Sequence, residues 1–243
     1  MRTSKLAIVL IAVASALRLV LATLIPLFPD ETYYWDWSRH LAAGYFDHPP
    51  GLALLIRSGT AIFGPTPLGV RFGSIIAGAV ASAAIVVLAV RLSSDATIAT
   101  DDTHVNALDD AGARAALLML VIPGALAGFI LATPDAPLLA ALALTLAALE
   151  RAIASEWRSA SSFGWWCAAG VTLGLAFCSK LTSVLIPAGV FVALLARRDL
   201  RARLAEPGPY VAVVIALLVL TPTLVWNSQH GWISFVFQLH HGL

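Results

Sequence analysis

Charge is what this 243-residue chain has least of. Asp, Glu, Lys and Arg make up 12% of it, about half the roughly 25% of soluble domains. Lysine occurs only at Lys5 and Lys180. A formal net charge of +1 and the lack of any Lys/Arg run exclude a nucleic-acid-binding face. No Gly-rich phosphate loop is present, which excludes a nucleotide site of that kind. The two cysteines, Cys167 and Cys178, fall in one apolar segment. On a helix their spacing places them about 16 Å apart along the axis, too far for a disulfide, so they read as inert thiols.

In place of charge there are long apolar runs. Hydrophobic residues reach 59% and the mean hydropathy is +0.86. Runs long enough to cross roughly 30 Å of hydrocarbon identify an all-α, polytopic membrane helix bundle. About seven spans are expected: Leu6–Phe28, Pro67–Val90, Arg114–Ala132, Ala136–Leu149, Phe163–Cys178, Ser183–Ala196 and Tyr210–Trp226. The first could pass for a cleaved signal peptide, but its apolar run continues well past Ala16, so an uncleaved helix fits better. Arg18 inside it should face protein or water.

Arg2, Lys5, Arg91, Arg114, Arg151, Arg158, Arg197, Arg198, Arg201 and Arg203 fall on one side of this arrangement, against Arg39, Arg57, Arg71 and Lys180 on the other. The positive-inside rule then places the N-terminus in the cytoplasm and residues 30–50 outside. Residues 92–113 form an acidic cytoplasmic stretch with five aspartates, read as a solvated loop because no calcium-loop spacing is present.

The polar residues concentrate in 29–66, within a single domain spanning 1–243. Two short helices at the membrane surface are expected there. The first carries Tyr34, Trp37 and Leu41 on one face and stops near Gly44; the second opens at Pro49–Pro50 and runs to about Phe63, before Gly64. Aromatic rings at 33, 34, 35, 37 and 45 suit headgroup depth.

Each titratable group here has two readings. Asp30 and Glu31 stand side by side at the mouth of the first span, where mutual repulsion should make one of them hold its proton more tightly. Asp30 is placed either as a general base or as a helix N-cap. Asp47 and His48 form either a turn before a Pro-started helix or a node where Asp47 orients His48 toward an anion. Asp135 is either a turn and cap residue or a member of the same outer cluster. Lys180 either holds a phosphate or snorkels to the interface. No spacing of His, Cys, Asp and Glu makes a convincing metal site.

The motifs Pro-Asp-Glu-Thr-Tyr-Tyr-Trp (29–35), Tyr-Phe-Asp-His-Pro-Pro (45–50), Gly-Val-Arg-Phe (69–72), Thr-Pro-Asp-Ala-Pro (133–137), Ser-Lys-Leu-Thr (179–182) and Trp-Asn-x-x-His-Gly-Trp (226–232) occur in this order. Together they resemble glycosyltransferase family 39, the PMT-2 group of dolichyl-phosphate-mannose protein mannosyltransferase-like and aminoarabinose transferase-like enzymes. The resemblance implies a GT-C fold and transfer of a sugar from a polyprenyl-phosphate carrier to a lipid, glycan or protein hydroxyl on the outer face of a bacterial plasma membrane, with inversion. It implies Asp30 as base with Glu31 beside it, and His48, Lys180 and Asp47 at the donor phosphate. Asp135 and Tyr34 become acceptor or supporting groups. No cofactor follows beyond a possible divalent cation. Members of the group are longer, so the chain is expected to be an N-terminal portion. The rival readings are a transporter using Arg18 and the carboxylates, and a non-catalytic membrane scaffold.

Overall fold

The computed structural model describes residues 5–97 and 105–241, and everything below concerns them. The chain is an all-helical bundle. Helix α1 (Lys5–Leu24) rises through it, and α2 (Pro29–Arg39) and α3 (Gly51–Phe63) follow at its end. Then come α4 (Pro67–Thr97), α5 (Val105–Val121), α6 (Pro123–Gly128), α7 (Asp135–Ala154) and α8 (Ala160–Phe177). A 3-10 turn at Leu181–Val184 leads into α9 (Leu185–Ala196) and the short α10 (Arg198–Arg201), and α11 (Gly208–Gln229) and α12 (Ile233–His241) close the order.

Five helices are long and apolar enough to cross a membrane, or six if the segment bent by 106° between Leu181–Ala196 and Arg198–Ala205 counts as one span. The chain is therefore an integral membrane protein with fewer full spans than the seven expected. The expected third span breaks. Pro123 has no N–H and Ile122 before it is extended, so α5 ends and α6 begins afresh at Pro123. That break also explains Arg18. Its guanidinium donates to the carbonyls of Met119 and Ala125, each at 3.2 Å, and lies over the Phe129 ring. Met119 is four residues before Pro123, and its carbonyl is the one the proline leaves without a helical donor. Arg18 thus repairs a helix break inside the bundle.

Packing between spans relies on small side chains. Ala77, Ala81 and Ala84 of α4 meet Ala136, Ala140 and Ala143 of α7 around Phe129. Gly170 and Gly174 of α8 come against Ala212, Ala216 and Val219 of α11. In lipid, where apolar contact alone gains little, such close backbone approach is what holds helices together.

The two short helices expected between the first spans are present. The first ends at Arg39, so Leu41 lies beyond it and is exposed, while Trp37 is buried. The second ends where Gly64 takes φ 69°, a conformation that suits glycine alone. The acidic stretch at 92–113 is not simply a loop: α4 reaches Thr97 and α5 begins at Val105, with 98–104 outside the described residues.

Candidate active site

The adjacent carboxylates at the start of α2 part company. Glu31 is 1% exposed and faces inward, paired at 2.5 Å with Arg71 of α4, which is 0% exposed. Its Oε1 accepts from Arg71 Nε (2.8 Å) and from the Ala132 N–H (3.0 Å). Its Oε2 accepts from Arg71 Nη2 (2.5 Å) and from the Phe28 N–H (3.0 Å). The remaining Arg71 donors reach the carbonyls of Ala22, Ile25 and Pro26 at the end of α1. All five guanidinium donors and all four carboxylate acceptor positions are thereby used.

Burial by itself pushes the Glu31 carboxyl up, but Arg71 and the two N–H groups outweigh it and hold the acid below its ordinary range. The expectation that repulsion makes one of the pair hold its proton does not apply to Glu31. It also serves as the cap for α2, through the Phe28 N–H. Asp30 does not: it lies inside the first turn, exposed, with no hydrogen bond among the described residues.

Asp30 and Tyr34, one helical turn apart, share a face of α2. Burial, together with the charges of Asp47, Asp30 and Asp135, pushes the Tyr34 phenol up to about 12. Tyr34 is therefore a neutral hydroxyl at any physiological pH. Its ring packs near His48, with centroids 6.2 Å apart. Tyr33 donates to Asp47 at 3.4 Å.

His48 feels burial first, which lowers its pKa below the ordinary imidazole value, while Asp47 raises it, Lys180 lowers it and Asp135 raises it. The net result is a neutral ring at pH 7, with Nδ1 buried and without a partner among the described residues. Lys180, just after α8, pairs with Asp135 at the start of α7 at 2.8 Å. Four chain segments (29–34, 47–48, 135 and 180) therefore converge at one end of the bundle.

Two devices bring them together. Gly51 donates its N–H to the Cys178 carbonyl at 2.7 Å, and a Cβ there would meet that oxygen and Ser179 Oγ. Only glycine lets the start of α3 approach closely enough to set His48 beside Lys180. On the other flank, Ser234 Oγ donates to the Tyr45 carbonyl (2.5 Å) and Gln238 Nε2 to that of Asp47 (2.9 Å). Asn227 holds Ser234 in turn, accepting its N–H. Trp37 and Tyr45 stack at 4.4 Å and stiffen the loop between them. The roles of Arg71, Gly51, Ser234 and Gln238 are absent from the sequence reading. Arg71 stood in a recognised motif, but nothing along the chain linked it to Glu31, 40 residues away.

Beside the cluster a groove of about 710 Å³ runs down between α3, α4, α7, α8 and α11, past Pro50, Leu54, Val80, Leu144, Leu175 and Val219. Among the described residues no three His, Cys, Asp or Glu side chains come close enough to hold a metal by themselves. A divalent cation would need phosphate oxygens to complete its shell.

A profile of the family described as dolichyl-phosphate-mannose-protein mannosyltransferase matches residues 47–100 and 106–226. A lipid A galacturonosyltransferase of Rhizobium johnstonii is 29% identical over 203 residues, 84% of this chain and 39% of that protein. In fold, the chain is similar to the S. cerevisiae protein O-mannosyltransferase Pmt1–Pmt2 complex, solved with its sugar donor. The TM-score is 0.55 at 18% identity, over 99% of this chain and 34% of that one. The chain thus spans well under half the length of either relative.

Proposed function

Because the chain belongs to the dolichyl-phosphate-mannose-protein mannosyltransferase family, we propose that it carries the donor-side half of a membrane glycosyltransferase, working on the outer face with its N-terminus in the cytoplasm. The donor is a sugar on a polyprenyl phosphate, and the acceptor a hydroxyl of a lipid, glycan or protein. The observation that supports this reading is the meeting of Asp30, Tyr34, Asp47, His48, Asp135 and Lys180 beside an apolar groove whose lining includes their chain neighbours Pro50, Pro137 and Ser179. Chemistry and greasy tail then have adjoining places.

In this mechanism the exposed carboxylate of Asp30 takes the proton of the acceptor hydroxyl. The hydroxyl oxygen bonds to the anomeric carbon as the carbon–oxygen bond to phosphate breaks, and that electron pair leaves on the lipid phosphate. Attack from the face opposite the phosphate inverts the centre. Lys180 supplies the cation for the departing phosphate, exchanging Asp135 for it; an ion pair this exposed is worth under about 1 kcal/mol, so the exchange is easy. Neutral His48 and the Tyr34 hydroxyl give directional hydrogen bonds, and Asp47, which accepts from Tyr33, adds its negative charge beside them. Glu31 is a positioning residue, since none of its oxygens is free to touch substrate.

The test is transfer from radiolabelled polyprenyl-phosphate sugars in membranes carrying the full encoded chain. Asp30→Asn should lower turnover by about 10²-fold or more, the usual worth of a general base, while donor still binds. Turnover by that variant at the wild-type rate would remove Asp30 from the role.

A further inference from the structure

A second cleft lies between the C-terminal half of α2 and the middle of α3. It measures about 280 Å³ and is lined by Trp35, Ser38, Arg39, Arg57, Thr60, Ala61 and Pro65. That is near the low end of the roughly 300–1,000 Å³ of small-molecule sites, room for a headgroup rather than a whole lipid. Two guanidiniums line it and no carboxylate does. Arg57 makes no ion pair or hydrogen bond through its side chain among the described residues. Arg39 has only a 3.8 Å contact with Asp36, both side chains being 61% exposed.

The walls are polar as well as charged. Thr60 Oγ1 donates to the Ile56 carbonyl, leaving its oxygen able to accept from a sugar or glycerol hydroxyl, while Ser38 is buried with its Oγ on the Trp35 carbonyl. On α3, a helix outside the spans, Ile62 and Phe63 are exposed. Apolar side chains so placed settle at the acyl boundary and leave Arg57 at the level of the headgroups.

We propose that this cleft is an anion-binding site for a phosphate or carboxylate carried on a membrane lipid headgroup, held between Arg39 and Arg57. Arginine forks match both groups bidentately, which a lysine cannot do. Asp30 and Arg39 lie nine residues apart on α2, about 13 Å along its axis. An anionic glycolipid held in the cleft would have its distal sugars within reach of Asp30. The site itself is independent of catalysis and is tested without turnover.

The measurement is binding of fluorescent phosphatidic acid to the detergent-solubilised chain, with fluorescent phosphatidylcholine as the neutral control. The expected result is saturable binding of phosphatidic acid, weakened about tenfold in Arg57→Gln and again in Arg39→Gln. Arg198→Gln, at an exposed arginine of α10 that lines neither this cleft nor the groove, should bind as wild type. Inorganic phosphate is the second arm. Competition by phosphate assigns recognition to the anion itself, and failure to compete assigns it to the headgroup at the interface; both support the proposal. Equal binding of phosphatidic acid by wild type and by a well-folded Arg39→Gln/Arg57→Gln chain would overturn it.

Discussion

Replacing Glu31 by Ala separates bracing from chemistry at the paired carboxylates. The change leaves Arg71 buried with no counter-charge and strands the N–H groups of Phe28 and Ala132. Removing one partner of a buried pair costs about 3–5 kcal/mol, a large share of the roughly 5–15 kcal/mol that holds most proteins folded. For a chain of this size that is a fall in Tm of roughly 10 °C. The assay is thermal unfolding of the detergent-purified chain by circular dichroism. A Glu31→Leu/Arg71→Met double variant should melt above either single variant, because a matched apolar pair leaves no stranded charge. Asp30→Asn, at an exposed position without partners, should melt with wild type. The reasoning fails if Glu31→Ala melts within a degree or two of wild type, or if the double variant is no better than the singles.

The same brace predicts a pH dependence. Glu31 titrates lower in the folded chain than its unfolded value of about 4.3, so its stabilisation is complete above that pH and is lost as pH falls through the lower folded value. Between pH 5 and 3, wild-type Tm should fall more steeply than that of Glu31→Gln; parallel slopes would refute the assignment. For Lys180→Met, donor KM should rise by about tenfold or more while Tm stays within a few degrees, because the Asp135 pair is exposed. A Tm loss without a KM change would make Lys180 structural instead.

Membrane residence, helical class and the two short helices between the first spans were legible from residue type and order alone. Their signals are local: apolar runs of spanning length, Pro49–Pro50 opening a helix and Gly64 closing it. Local signals also misled. The apolar run 114–132 looks continuous, yet Pro123 cuts it, and the spans number five or six. What the sequence could not decide was which of two adjacent carboxylates faces in. Asp30 and Glu31 are equivalent as letters, and only the approach of Arg71 from α4 and of Ala132 from the turn before α7 distinguishes them. Arg18 shows the same limit, since one of its partners is the Met119 carbonyl, set free by a proline more than a hundred positions away. Residue chemistry determined what this chain is made to do in a membrane. Long-range packing alone decided which groups are spent holding the fold and which are left free to react.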